Sequence, residues 1–267
     1  MRGLIFCLVV IFAFAYGQQA GPEENISAYF QRLLEEFRDR METGHPEIGM
    51  PILDPLPDTP RNHDWEYRNF FGFLESMGVA SSWDGEIWGL SKFEIKNVTT
   101  AIDQWGVTLH FLLDFPDYMH YGNYSTSGFM PYLLGTDLPI GGNGSYLVQA
   151  TKGFPNGTAY PWGGSSHLMD MSPWLNINDD GTMWLQNVHG YVRHYENRSS
   201  EVWGLTPGID IPITDRVQTI LDSYGTYLTA KIDQAGRNDM YKGLLDYLTW
   251  AIDGVLYQDV VDGKYNK

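Results

Sequence analysis

The side chains that could do chemistry are few, and their spacing suits little of it. Asn176, Asn178 and Asp180 precede Gly181 at alternate positions, as the first oxygen ligands of a calcium loop do, but the twelfth position is Asn187 where a bidentate glutamate is needed. The flanks, Trp174-Leu175 and Met183-Trp184-Leu185, read as strands, so this run is expected to be a hairpin turn. Histidines at 45, 63, 110, 120, 167, 189 and 194 form no His-x-x-x-His pair, and the single cysteine, Cys7, offers no thiolate pair. Neither a metal nor a cofactor is expected. Gly163-Gly164-Ser165-Ser166-His167 opens like a nucleophile elbow but has histidine in place of the closing glycine. Acidic residues beside aromatics, as in Trp65-Glu66, Trp83-Asp84 and Asp103-Gln104-Trp105, could serve a carboxylate glycosidase, although sheet surfaces carry such pairs routinely. No catalytic residue is assigned.

The leader sets the compartment. Residues 4 to 15 are almost wholly apolar, and Ala15-Tyr16-Gly17 puts small residues at the cleavage positions, so a signal peptide over 1–17 is expected. That run is shorter than the roughly 20 residues a membrane span needs, and no later segment is long and uncharged enough, so no stable membrane insertion is expected. Sequons at Asn25, Asn97, Asn123, Asn143, Asn156 and Asn197 suit a secreted, extracellular glycoprotein. Two of them, Asn143-Gly144 and Asn156-Gly157, coincide with type I′ turn signals and are expected at hairpin tips. Seventeen basic against 33 acidic residues give a net charge of −16, which disfavours nucleic acid and anionic surfaces as partners. Residues 18–267 are read as one domain and a monomer, large enough to bury a core without disulfides.

The periodicity supplies the elements. Ile26, Tyr29, Phe30, Leu33, Leu34, Phe37 and Met41 form one apolar stripe of a helix, with Arg32, Glu35, Glu36, Arg38 and Asp39 opposite. Prolines 46, 51, 55 and 57 then force the chain to leave the helix extended. Period-2 runs follow, clearest where Val107, Leu109, Phe111, Leu113 and Phe115 alternate with Thr108, His110, Leu112 and Asp114. Asp84-Gly85 and Asp180-Gly181 read as hairpin turns, and the glycines at 141–144 and 163–164 as turns or bulges. From Pro212 the period returns to 3.6. Asp215 reads as the N-cap of a helix that Gly236 closes, and Asn238 as the cap of a second, very apolar one reaching Leu256.

Several phrases resemble a known family. The run from Gly44 to Leu56 (GHPEIGMPILDPL), Gly89-Leu90-Ser91-Lys92-Phe93-Glu94-Ile95, Leu109 to Pro116 (LHFLLDFP) with Tyr121-Gly122-Asn123-Tyr124 behind it, and Leu138-Pro139-Ile140-Gly141-Gly142-Asn143-Gly144 occur in the order seen in the insect takeout and haemolymph juvenile-hormone-binding protein family. Such proteins usually carry a cysteine pair near the mature N-terminus, which this chain lacks, and beyond Gly204 the likeness thins to general pattern. The resemblance implies an α+β fold in which a strongly curved antiparallel sheet wraps around a long helix, the takeout-type super-roll, leaving an apolar tunnel. It further implies a non-enzymatic, secreted carrier of a small hydrophobic ligand: a lipid, fatty acid or terpenoid. On that expectation the tunnel wall falls to Val107, Leu109, Phe111, Leu113, Phe115, Tyr146, Val148, Met169, Met171, Leu244, Leu248 and Ile252. His110 and Tyr121 are then the polar groups at its mouth. A secreted structural glycoprotein with the same fold and a filled core is the alternative, followed by the carboxylate hydrolase.

Overall fold

The computed structural model describes residues 20–133, 136–150, 167–186, 193–196 and 198–265. The leader, the sequons at Asn156 and Asn197 and the Gly163–Ser166 run lie outside the described residues. Helix α1 (Pro22–Arg40) begins as its sequence dictates, with Pro22 in the first turn and the Gly21 N–H donating to the Glu24 carboxylate at 3.1 Å. Every residue of its expected apolar stripe is buried. That face lies on strand β4 (Glu94–Asp103) and on the core behind it, where Phe30 meets Phe111 at 6.0 Å between ring centres. Burial of each such side chain is worth about 1.5–3 kcal/mol.

The strands, all antiparallel, form two sheets. The seven-stranded sheet runs β1 (Leu56–Asp58), β3 (Leu74–Trp88), β6 (Met119–Leu133), β7 (Thr136–Ala150), β12 (Arg198–Val202), with β2 (Arg61–Arg68) also on β3 and β13 (Leu205–Pro207) on β7. The six-stranded sheet runs β10 (Met183–Gln186), β9 (Trp174–Ile177), β5 (Gly106–Asp114), β8 (His167–Met171), β11 (Arg193–Glu196), with β4 on β5. The chain changes sheet at Gly89, whose φ of 79° turns β3 into the short 3-10 turn Leu90–Lys92.

Helix α2 (Asp215–Ala251) is one continuous element of 37 residues, touching strands of both sheets. Its cap is Thr214, whose hydroxyl accepts from the Val217 N–H at 3.4 Å, one residue before the expected Asp215. The expected break at Gly236 does not occur. Gly236 is a contact point instead: a Cβ there would stand 2.5 Å from Ile87 Cδ1 and 3.2 Å from His120 Cε1, so its bareness lets the helix close on the sheet. After α2 the short α3 (Tyr257–Val261) packs on α1, with Asn25 Nδ2 donating to Val261 O at 2.7 Å.

Two expected turns lie inside strands. Asp84-Gly85 falls where the β3–β6 register shifts between Trp83 and Glu86, a bulge with Asp84 at φ 51°. Asn143 and Gly144 pair regularly with Ser125 and Tyr124 within β7. Here the glycines serve close approach, since side chains at Gly142 or Gly144 would overlap the backbone at Trp203 and Gly204. Asp180-Gly181 does turn the chain between β9 and β10, and Asp180 Oδ1 accepts from the Thr182 N–H and hydroxyl rather than facing an open loop.

Candidate ligand site

The twelve apolar residues expected to line a tunnel are all buried in one core. The alternation of β5 places Leu113 beside Met169 and Phe111 beside Met171, while Phe115 packs on Phe93 with ring centres 5.5 Å apart. None of them lines the clefts described below. His110 and Tyr121 sit on the other faces of their strands. His110 Nε2 is 2.7 Å from Asp170 Oδ1, and the Tyr121 hydroxyl donates to Glu86, both part-exposed. The structure therefore does not bring this pair to the interior.

The polar group that does face inward is the neighbour of Tyr121. His120, with Gly122, Tyr124 and Thr126, takes the buried face of β6. Its imidazole lies between two carboxylates, Nδ1 at 3.2 Å from Asp233 Oδ1 on α2 and Nε2 at 3.3 Å from Asp58 Oδ2 on β1, with the Tyr146 hydroxyl 3.0 Å from Nε2. The Tyr118 hydroxyl donates to Asp233, Arg237 Nε stands 3.3 Å from Asp233 Oδ2, and Arg61 joins Asp58 to Asp239. Burial disfavours the charged imidazole, but hydrogen bonds to Asp233 and Asp58, with their charges, outweigh it and raise the His120 pKa. Burial next to the same carboxylates pushes the Tyr146 phenol upward, so it stays neutral. Parity was the available signal for His120: Tyr121 is out of phase with the buried face of β6.

Two of the resembling phrases meet in space. Asp54, from the proline-rich connector, accepts the N–H groups of Gly89 and Ser91 at 3.0 and 2.7 Å. Leu53 N and Asp54 N in turn donate to Met41 O, at 2.8 and 3.1 Å, so the connector is fixed to the end of α1. Between those anchors it passes over the last turns of α2. There Ile48, Met50, Pro51, Leu53, Leu56, Tyr247 and Trp250 wall a cleft of about 380 Å³, with Asp239, Lys242 and Asp246 on its rim. Gly243 forms part of the floor; a Cβ on it would stand 3.2 Å from Leu53 Cδ1. Beside it His45 packs on Trp250, ring centres 4.8 Å apart, and the buried His45 Nδ1 has no hydrogen-bond partner among the described residues.

A larger cleft, about 780 Å³, lies along β2, β3, β6 and α2, but Asp64, Glu66, Ser127, Lys231 and Gln234 share its walls with Trp65, Tyr67 and Phe129. A third, of about 470 Å³, is lined by Ser200, Glu201, Gln218 and Asp222 among others. For an apolar guest the connector cleft fits best, because its walls are aliphatic and aromatic and its charges are confined to the rim. Among the described residues no group of three or more His, Cys, Asp or Glu side chains could hold a metal ion.

No curated protein matches the chain. Among solved structures it is similar to Takeout 1 of Epiphyas postvittana, at 15% identity over 85% of this chain and 92% of that one, with a TM-score of 0.49. The model of the haemolymph juvenile hormone binding protein family matches residues 5–153, more than half of the chain and the stretch that holds the connector, Asp54, the Gly89–Ser91 turn and His120. The chain belongs to the haemolymph juvenile hormone binding protein family.

Proposed function

We propose that this chain is a secreted binding protein that carries or sequesters a small hydrophobic molecule, seated in the cleft between the connector and the end of α2. The observation that carries the reading is the composition of that cleft, seven apolar walls and a charged rim, beside which the buried His45 Nδ1 has no hydrogen-bond partner among the described residues. Family membership supports it, since the family is described by the binding of a hormone. Desolvation supplies the affinity, at about 0.8 kcal/mol for each CH₂ group leaving water. One polar end of the guest is then held by the rim, where Lys242 stands, or by His45. A fatty acid, a terpenoid or another lipid with a single polar end shares this chemistry. The apolar leader and the sequons support export of the chain.

Titration with N-phenyl-1-naphthylamine, an apolar fluorophore, tests the seat. Saturable binding is expected to quench Trp250 emission, and Gly243→Met, which fills the floor, is expected to weaken uptake about tenfold or more while leaving the fold intact. Uptake unchanged by Gly243→Met would place the guest elsewhere.

A further inference from the structure

The β2–β3 hairpin ends in Asn69-Phe70-Phe71-Gly72-Phe73, and its three phenylalanines are 98%, 78% and 70% exposed. Three adjacent aromatic rings held in water are costly unless something covers them. The turn presenting them is closed by its own hydrogen bonds. Asn69 Oδ1 accepts the N–H groups of Phe71 and Phe73, each at 3.0 Å, the Gly72 N–H donates to Asn69 O at 2.8 Å, and the Asn69 N–H donates to Phe73 O at 2.9 Å. Arg68 Nη1 closes the base on Gly72 O at 3.0 Å, and Tyr67 stacks on Tyr227 of α2 below it.

We propose that this tip is a lipid-contacting element that inserts its rings into the surface of a zwitterionic phospholipid layer. Backbone bonding favours that occupant. Four of the five N–H groups of the tip, those of residues 69, 71, 72 and 73, are satisfied within the turn, so only that of Phe70 would enter a water-poor layer without a bond inside the turn. A narrow convex tip offers a protein partner little to enclose. Charge selects the lipid. The chain carries a net −16, and the one basic side chain at the tip, Arg68, already pairs with Glu66, so anionic headgroups are repelled. Topology adds breadth to the contact. Gly208 N bonds Pro139 O at 2.7 Å and Arg216 bonds Tyr132 O, which puts the exposed Ile209 and Ile213 at the end of the sheet that also holds the hairpin tip. Aromatic rings at the lipid–water boundary are a stable arrangement.

The test is flotation of the full chain with phosphatidylcholine vesicles. The wild type is expected to float with them and to float less with phosphatidylserine vesicles. Combined Phe70→Ser, Phe71→Ser and Phe73→Ser substitution should weaken vesicle binding about tenfold or more with the melting temperature unchanged. In a separate Phe71→Trp variant, the added emission should shift to the blue on mixing with vesicles. Gly243→Met should float as the wild type does, which separates this inference from the ligand cleft. No flotation by the wild type, or equal flotation by the triple serine variant, would overturn the proposal. So would self-association of the wild type that the serines abolish, since the rings would then belong to a second copy.

Discussion

His120 and Asp233 meet at 3.2 Å with both side chains fully buried, and that contact ties the middle strand of the larger sheet to the middle of the long helix. Asp58 on the other side of the imidazole extends the tie to the end of the connector that walls the cleft. A charged imidazole between two carboxylates is held only while it stays protonated.

Stability should therefore fall as pH rises above 6.5. The folded pKa of His120 is raised above the 6.5 of an ordinary histidine, so its contribution is complete below 6.5 and is lost as pH rises through the folded value. His63 works in the opposite direction: burial lowers its pKa despite nearby Asp58, so its contribution is present above 6.5 and lost as pH falls below it. Urea unfolding between about pH 6.5 and 9 should show a declining free energy for the wild type and a flatter line for His120→Gln. Parallel declines in both proteins would remove His120 from the account.

Breaking the tie from the helix side should cost more than a surface change. Asp233→Ala leaves His120 and Arg237 in the interior without their shared carboxylate, a loss expected at about 3–5 kcal/mol. Exposed Asp222→Ala, on the same helix, should lie within about 0.5 kcal/mol of the wild type. Denaturation midpoints of the two variants give the comparison.

Gly128→Ala should be among the most damaging small substitutions. Gly78 and Gly128 pair across β3 and β6, and the Tyr224 hydroxyl occupies the space between them and α2. A Cβ at Gly128 would stand 2.6 Å from that hydroxyl and overlap the Met77 carbonyl, which is backbone and cannot swing away. A loss of about 3 kcal/mol is expected in thermal or urea unfolding.

Leu34→Ala and Leu113→Ala should each cost about 2–5 kcal/mol in the empty protein, because both side chains are fully packed in the same core. Ligand should raise the stability of both variants as much as it raises that of the wild type. A Leu113→Ala protein that is nearly wild type when empty but responds less to ligand would instead move the guest into the interior beside Met169 and Met171.

Glycan occupancy should follow side-chain freedom. Asn97 and Asn143 are exposed on strands, whereas the Asn25 amide is engaged with Val261 O. Peptide mapping after deglycosylation is expected to find Asn97 and Asn143 modified and Asn25 unmodified.

Much of the architecture was legible because it rests on local patterns. The stripe of α1 names its buried face residue by residue, and the alternation of β5 does so up to Leu113, after which Asp114 is buried as well, since a 3.6 or a 2.0 repeat leaves one solution. Glycine misled where its role is tertiary. Gly236 looks like a stop in sequence yet makes room for His120, and Asn143-Gly144 looks like a turn yet sits in a ladder crossed closely by residues 203–204. His110 and Tyr121 stand at the edges of apolar runs, where a one-residue change of phase exchanges inside for outside. The cleft has no periodic signature, because a connector with only a single 3-10 turn, Pro46–Ile48, builds half of it.

The central claim is that the connector cleft holds an apolar guest, and denaturing extraction of natively purified protein followed by mass spectrometry tests it most directly. The wild type is expected to yield one class of small apolar molecule at close to equimolar amount, and Gly243→Met, purified alongside it, markedly less. Recovery of no such molecule from the wild type, or equal recovery from both proteins, would contradict the account.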